Sequence, residues 1–195
     1  MKKLMLLLAG VFALLHDVRA DANYWQDGVP WEIGVSSYSG YACINEICDK
    51  SVSGDIVVPG GQFYGYDIVV IARWALWGCE NITGVTVPAS ITNIQNLVFR
   101  DCTSLKRATI LGNLKKLSEC TFEECWSLED VNLPDSIELI EYAAFRNCYS
   151  LKSIVIPAST KVLENDVFAA CTNLTKVVLP EDCWILVPVS VLAVH

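Results

Sequence analysis

The sequence predicts an α/β repeat solenoid, and three observations carry that prediction. Cysteines recur at positions 79, 102, 125, 148 and 171, a constant step of 23 residues. Apolar residues keep the same phase. Leu76, Phe99, Phe122, Phe145 and Phe168 stand three residues before each cysteine, and Ile82, Leu105, Leu128, Leu151 and Leu174 three after it. Val85, Ala108, Val131, Ile154 and Val177 follow at +6, then Val87, Ile110, Leu133, Ile156 and Leu179 at +8. The slot eight residues before the cysteine holds Ile71, Ile94, Leu117, Ile140 and Leu163. A proline closes four of the five units at +9 (Pro88, Pro134, Pro157 and Pro180), with Leu111 as the exception. A fixed period with this many apolar slots in phase is the signature of stacked coils. Each unit buries one side only, so none is stable without its neighbours.

Residues 1–20 stand outside the fold. Lys2 and Lys3 form a basic start, Leu4 to Leu15 an apolar run, and Val18-Arg19-Ala20 a small-residue exit. This is the pattern of a secretory signal peptide, since crossing a bilayer takes about 20 apolar residues. Cleavage is expected after Ala20, with a second option after Ala22. Residues 21–53 lack the repeat phase and are rich in aromatic and turn residues, among them Tyr24, Trp25, Trp31, Tyr38 and Tyr41. Trp31–Val35 and Tyr41–Asn45 read as short strands around a Ser-Ser-Tyr-Ser-Gly turn, a β cap over the open end of the core. An aromatic platform for carbohydrate is the alternative reading of the same residues.

Residues 54–180 form the solenoid. Gly54–Pro59 states the strand-then-proline phrase for the first time, and Gly60–Tyr66 is a glycine-bearing loop longer than its later counterparts. Each following unit starts with an alternating strand, clearest in Leu151–Ile156, and ends it with a proline, which cannot donate to a ladder. A short second extended piece follows, as in Ser90–Ile94 or Ser136–Ile140. A helical turn carrying the residues before the cysteine, as in Tyr142–Phe145, is expected to close the coil. The unit around Cys120 departs from the template, because Leu111 replaces proline and is followed by Gly112. A local distortion is expected there. Residues 181–195 lose the phase: Val191 and Val194 occupy the slots of the aromatic residue and the cysteine. The segment reads either as a capping strand or as a truncated repeat.

The stretches ITNIQNLVFRDCTSLKRATI, IELIEYAAFRNCYSLKSIVIP and VSGDIVVPGGQFYGYDIVVIARWALWGC resemble the BspA-like leucine-rich repeats of exported surface proteins. The resemblance covers roughly Val52 to Pro180. It implies right-handed leucine-rich-repeat coils with parallel strands, and a non-catalytic role in adhesion or protein recognition, at the cell surface or secreted. A structural envelope component, or a fragment of a longer array, is the alternative. No cell-wall sorting motif is visible in the sequence, which leaves the mode of surface attachment open.

Charge and residue inventory narrow the function further. Without Lys2, Lys3, Asp17 and Arg19, 11 basic and 21 acidic residues remain, a net charge of −10. That balance opposes nucleic acid and anionic membranes. Beyond residue 20 the sole histidine is His195, so triads that need a histidine base have no support and no enzyme is expected. The spacings Cys43/Cys48 and Cys120/Cys125 suit zinc poorly. No phosphate loop follows a strand, and no cofactor is expected. Same-slot side chains of adjacent coils run parallel about 4.8 Å apart, whereas a disulfide needs Cβ atoms turned toward each other. The five in-phase cysteines are therefore expected as buried thiols acting as small apolar residues. Cys183, in phase with Ile91, Leu114 and Ile137, is expected in the core, and a Cys43–Cys48 bridge stays open. Glu123, Glu124, Glu129 and Asp130 crowd the third unit; they read as a solvated acidic face, with acid–base work as the alternative.

The surface left for a partner is the outward set of strand positions. Lys106, Glu129 and Lys152 share one column, Arg107 and Asp130 a second, and Thr109, Asn132 and Val155 a third. Alternating charge in the first column is expected to satisfy itself in part, leaving a flat, mixed surface suited to protein. Trp126 and Tyr149, one residue past adjacent cysteines, form an in-phase aromatic pair and a second candidate contact.

Overall fold

The computed structural model describes residues 22–36, 40–47 and 49–185. Residues 1–20 lie outside that description, as do Tyr38, Cys48 and 186–195. The expectations placed on them, the signal peptide, the Cys43–Cys48 bridge and most of the C-terminal segment, therefore lie outside the described residues.

The strands in chain order are β1 (Ala22–Gln26), β2 (Val29–Ser36), β3 (Tyr41–Ile47), β4 (Gly54–Val57), β5 (Gln62–Phe63), β6 (Tyr66–Ile71), β7 (Ile82–Val87) and β8 (Asn93–Ile94). They continue as β9 (Arg107–Ile110), β10 (Lys116–Leu117), β11 (Asp130–Asn132), β12 (Leu139–Ile140), β13 (Ser153–Val155), β14 (Val162–Leu163), β15 (Lys176–Val178) and β16 (Trp184–Ile185). β1, β2 and β3 form the antiparallel cap, and β3 then pairs in parallel with β6. The cap thus leads directly into the stack. Trp31 is fully buried in it and cannot serve as a sugar platform, whereas Trp25 stands exposed.

Each coil contributes to three sides. The longer strands make one sheet, β4-β7-β9-β11, continued by the parallel pair β13-β15. The two-residue strands make another, β10-β12-β14-β16, while β8 pairs with β6 instead. Parallel register steps by 23 residues, as in Asp130 against Arg107 and Ser153 against Lys176.

The third side corrects an expectation. No helix occurs among the described residues, and the segments before the cysteines are chains of tight turns. Every second amide of these segments leaves the coil, while those between bond back within it, as Arg100 N–H does to the Leu97 carbonyl and Cys102 N–H to that of Phe99. Leu97, Phe99 and Asp101 donate to the carbonyls of Glu119, Thr121 and Glu123 at 3.0, 2.9 and 3.0 Å. Cys120, Phe122 and Glu124 repeat the pattern onto Tyr142, Ala144 and Arg146. Two residues per coil take left-handed φ to aim these groups. One column is Trp74, Leu97, Cys120, Ala143 and Asp166, with φ from 54° to 66°. The other is Gly78, Asp101, Glu124, Asn147 and Ala170, with φ from 58° to 70°. A right-handed helical turn tolerates neither.

Inside, the apolar slots are filled as their phase dictates. The −8, −3 and cysteine slots are buried in all five units, and the strand slots are buried except in the later coils, where Val131, Leu174, Val177 and Leu179 are half-buried. Cys183 is likewise only half-buried at that end. Phe99, Phe122, Phe145 and Phe168 stack ring on ring, with centroids 5.2, 5.5 and 5.7 Å apart and planes within 11°.

The departure at Leu111 has a visible consequence. Leu111 keeps the amide that proline lacks and donates it to the Val87 carbonyl at 2.9 Å. A Cβ on Gly112 would lie 2.0 Å from the Ile91 carbonyl oxygen, so only glycine fits. The short-strand sheet is interrupted there, between β8 and β10.

Three substitutions test this packing. Phe145→Ala should cost about 3–5 kcal/mol through lost burial and a cavity in the ring stack. Lys152→Ala should cost under about 0.5 kcal/mol. Gly112→Ala should cost at least about 1–3 kcal/mol, because the clash is with backbone. Chemical denaturation measures all three, and equal midpoints for the Phe145 and Lys152 variants would refute the inside–outside assignment.

Candidate functional site

The strand sheet presents the first set of candidate residues. Lys106, Arg107, Glu129, Asp130, Asn132, Lys152 and Val155 are exposed, and Thr109 is half-buried. Backbone bonds hold them in their columns: Glu129 N–H donates to the Lys106 carbonyl at 2.9 Å, and Thr175 N–H to that of Lys152 at 2.9 Å. Thr109 lies beside Asn132, and Val155 beside Val178, whose side chain is also exposed. The expected partial neutralisation within the first column does not occur. Among the described residues, none of Lys106, Glu129 and Lys152 forms an ion pair.

The ion pair on this face lies elsewhere. Arg107 bonds the Asp55 carboxylate from two strands away, across Gly84. A Cβ at Gly84 would come within 2.6 Å of Asp55 Oδ1 and 3.3 Å of Arg107 Nε, so the glycine leaves the gap that the pair fills. Thr83 Oγ1 also donates to Asp55 at 2.9 Å. These hydrogen bonds, Arg107 foremost, hold the Asp55 carboxyl below its usual range. Sequence reasoning missed this contact, although Asp55, Gly84 and Arg107 share a strand slot.

The acidic residues of the third unit do not converge. Glu123 is buried between Arg100 and Arg146, 3.3 and 3.8 Å away. Glu124 turns toward Asp101, while Glu129 and Asp130 stand on the sheet. Burial, followed by the Asp101 charge, raises the Glu124 pKa. Among the described residues no group of three or more His, Cys, Asp or Glu is placed to hold a metal ion.

Trp126 and Tyr149 do meet, with ring centroids 6.4 Å apart and planes tilted by 35°. Trp126 also forms one wall of an open cleft of about 550 Å³, which Lys50, Trp77, Gly78, Glu80, Asp101, Thr103 and Glu124 complete. The indole N–H of Trp77 donates to Asp101 Oδ2 at 2.8 Å, which fixes that ring. The cleft lies at the corner where the turn face meets the strand sheet. Gly78 and Thr103 supply the small side chains that open it.

The in-phase cysteines are buried and free, and they are more than small apolar residues. Cys102, Cys125, Cys148 and Cys171 donate their thiols to the carbonyls of Leu76, Phe99, Phe122 and Phe145, at 3.3, 3.1, 3.2 and 3.0 Å. Each of those carbonyls also accepts the amide of the cysteine three residues on. Burial pushes Cys79 up to about 11, and pushes Cys102, Cys125 and Cys148 well above the ordinary thiol range. In these four, burial favours the protonated form, whereas the hydrogen bond with Cys148 lowers the pKa of Cys171 at the end of the ladder.

A leucine-rich solenoid with an exposed parallel sheet defines the class of protein. A BspA type leucine rich repeat region, in six copies, matches residues 69–186. The chain belongs to that family of repeat proteins, which in general serve protein–protein interaction. It is similar to a leucine rich cell surface protein from Faecalibacterium prausnitzii, with TM-score 0.69 and 25% identity over 83% of this chain. It spans only 44% of that protein's length. The leucine rich repeat protein of T. pallidum matches with TM-score 0.63 and 26% identity, over 77% of this chain and 80% of its own. A leucine-rich repeat protein from Eubacterium ventriosum shares the fold at TM-score 0.61 and 15% identity, over 84% of this chain and 47% of its own. No curated protein matches.

The thiol ladder makes a pH-dependent expectation. Unfolded thiols ionise near pH 8.5, whereas Cys79, Cys102, Cys125 and Cys148 stay protonated well above that. Between about pH 9 and 11 the unfolded state therefore binds fewer protons, and stability falls as pH rises. Urea midpoints across that range should drop, and drop less steeply in Cys125→Ala. Below pH 8 alkylation of the native protein should spare the five ladder thiols, and denaturant alone, without reductant, should expose them. Mass-spectrometric detection of a bridge such as Cys102–Cys125 would overturn the assignment.

Proposed function

We propose that this chain is an exported BspA-type repeat module that binds a macromolecular partner, a protein, through its strand sheet. The observation that carries the proposal is the unpaired first column. Lys106, Glu129 and Lys152 stand exposed side by side without neutralising one another, next to the exposed pair Val155 and Val178. Charges left unpaired within the chain are available across an interface, where they set specificity and association rate. Arg107 is tied to Asp55 and contributes less, while Asp130, Asn132 and Thr109 supply uncharged or anionic rim contacts. Export rests on the pattern of residues 1–20, and surface localisation on the likeness to the Faecalibacterium cell surface protein. Adhesion is the activity this arrangement serves; carbohydrate is a less suitable ligand for a face without exposed aromatic rings.

The double variant Lys106→Glu, Lys152→Glu should keep the wild-type melting temperature, since both side chains are solvated, and should lose partners captured by the wild type from host or envelope extracts. Unchanged capture by a folded variant would move the site away from the sheet.

A further inference from the structure

We infer that the cleft between Trp77 and Trp126 is a second recognition site, which takes an arginine side chain of a protein partner. It is independent of the sheet reading, since none of its lining residues belongs to the strand columns. Trp77 and Trp126 are 50% and 47% exposed, unusual for indoles without a partner, and exposed Trp marks interface anchors. Trp126 stands two coils beyond Trp77, so the walls are about 10 Å apart along the stack. The intervening coil supplies Asp101 and Thr103.

The polar groups of the cleft carry an excess of negative charge. Glu80, Asp101 and Glu124 face a single lining cation, Lys50. Arg100 stands behind them, but its nearest carboxylate is Glu123 at 3.3 Å. It reaches Asp101 and Glu124 only at 3.7 and 3.8 Å, beyond hydrogen-bond length. Asp101 and Glu124, one above the other in adjacent coils, are two carboxyls in contact that share the single Arg100 guanidinium with Glu123 and are hydrogen-bonded by no cation. Among the described residues no cation of this chain covers the ring of Trp77 or Trp126, although Arg73 lies 4.3 Å over the neighbouring Trp74. A guanidinium meets both demands. Its flat face stacks on an indole and its N–H groups fork onto carboxylates. A sugar would also stack on the rings, but it offers no charge to a carboxylate pair.

The test uses a capped Gly-Gly-Arg-Gly-Gly peptide and its citrulline counterpart, a neutral isostere. Binding is read from the indole N–H resonances of the 15N-labelled protein. The arginine peptide should shift the Trp77 and Trp126 signals saturably, and the citrulline peptide should not. Asp101→Asn with Glu124→Gln removes two charges at nearly constant shape, and Asn tolerates the left-handed φ at 101. That variant should keep its fold and bind the arginine peptide at least about tenfold more weakly. Lys106→Glu, Lys152→Glu should bind it as the wild type does, which separates this site from the sheet. Equal binding of the citrulline peptide, absence of saturable shifts at millimolar arginine peptide, or shifts produced by a disaccharide instead would each overturn the inference.

Discussion

The architecture depends on where the amides of the turn face go. In each coil three alternate residues send their N–H groups along the stack to carbonyls of the next coil, from Trp74, Leu76 and Gly78 through to Ala143, Phe145 and Asn147. A buried amide must find a partner. A helix would have satisfied it within the coil and left each coil self-contained. Sending it outward makes every coil a donor to its successor and commits two residues per turn to left-handed φ. The cost of those residues, about 1–2 kcal/mol each where a Cβ is present, is offset only when the next coil is in place. Phase is therefore not free to drift, and the 23-residue step follows.

This face also keeps the stack continuous where the sheets do not. The short-strand sheet breaks between β8 and β10, and the longer one between β11 and β13. Across both breaks the phenyl rings stay parallel and the thiols keep donating. Cysteine suits that slot for a double reason. It is small and apolar enough for a fully buried corner, and its weak donor occupies the second lone pair of a carbonyl already bound to an amide. The same corner carries the outward residues of the cleft, so the rigid interior ladder and the aromatic walls are fixed by neighbouring positions of one segment.

Much of this was legible in the sequence. The phase of Cys79 through Cys171, the buried Phe and Leu slots, the exposed Lys106, Glu129 and Lys152, the Trp126–Tyr149 contact and the disturbance near Gly112 all follow from spacing and side-chain character. The helical turns did not, because Leu97, Cys120 and Ala143 are ordinary residues whose left-handed φ is imposed by the neighbouring coil. A partial signal existed in the other column, where Gly78, Asp101 and Asn147 are the residue types that tolerate such geometry. Contacts that depend on side-chain conformation were out of reach as well. Arg107 with Asp55, and Glu123 between two arginines, depend on rotamers and on one missing Cβ at Gly84. The cleft joins Trp77 in one slot to Trp126 in another, and a search for same-slot partners finds only Tyr149.

The turn-face amides have a direction. Those that cross between coils all point toward the C-terminal coil, and the carbonyls that receive them point back toward the cap. Each peptide unit carries a dipole of about 3.5 D. Aligned in parallel rows, these dipoles add along the axis as they do in a single helix, but over a face several residues wide. One side of the solenoid is therefore electrically polar from end to end, negative toward the β cap and positive toward the last coil. Every further coil stacked in phase would lengthen that polarity without changing its sense.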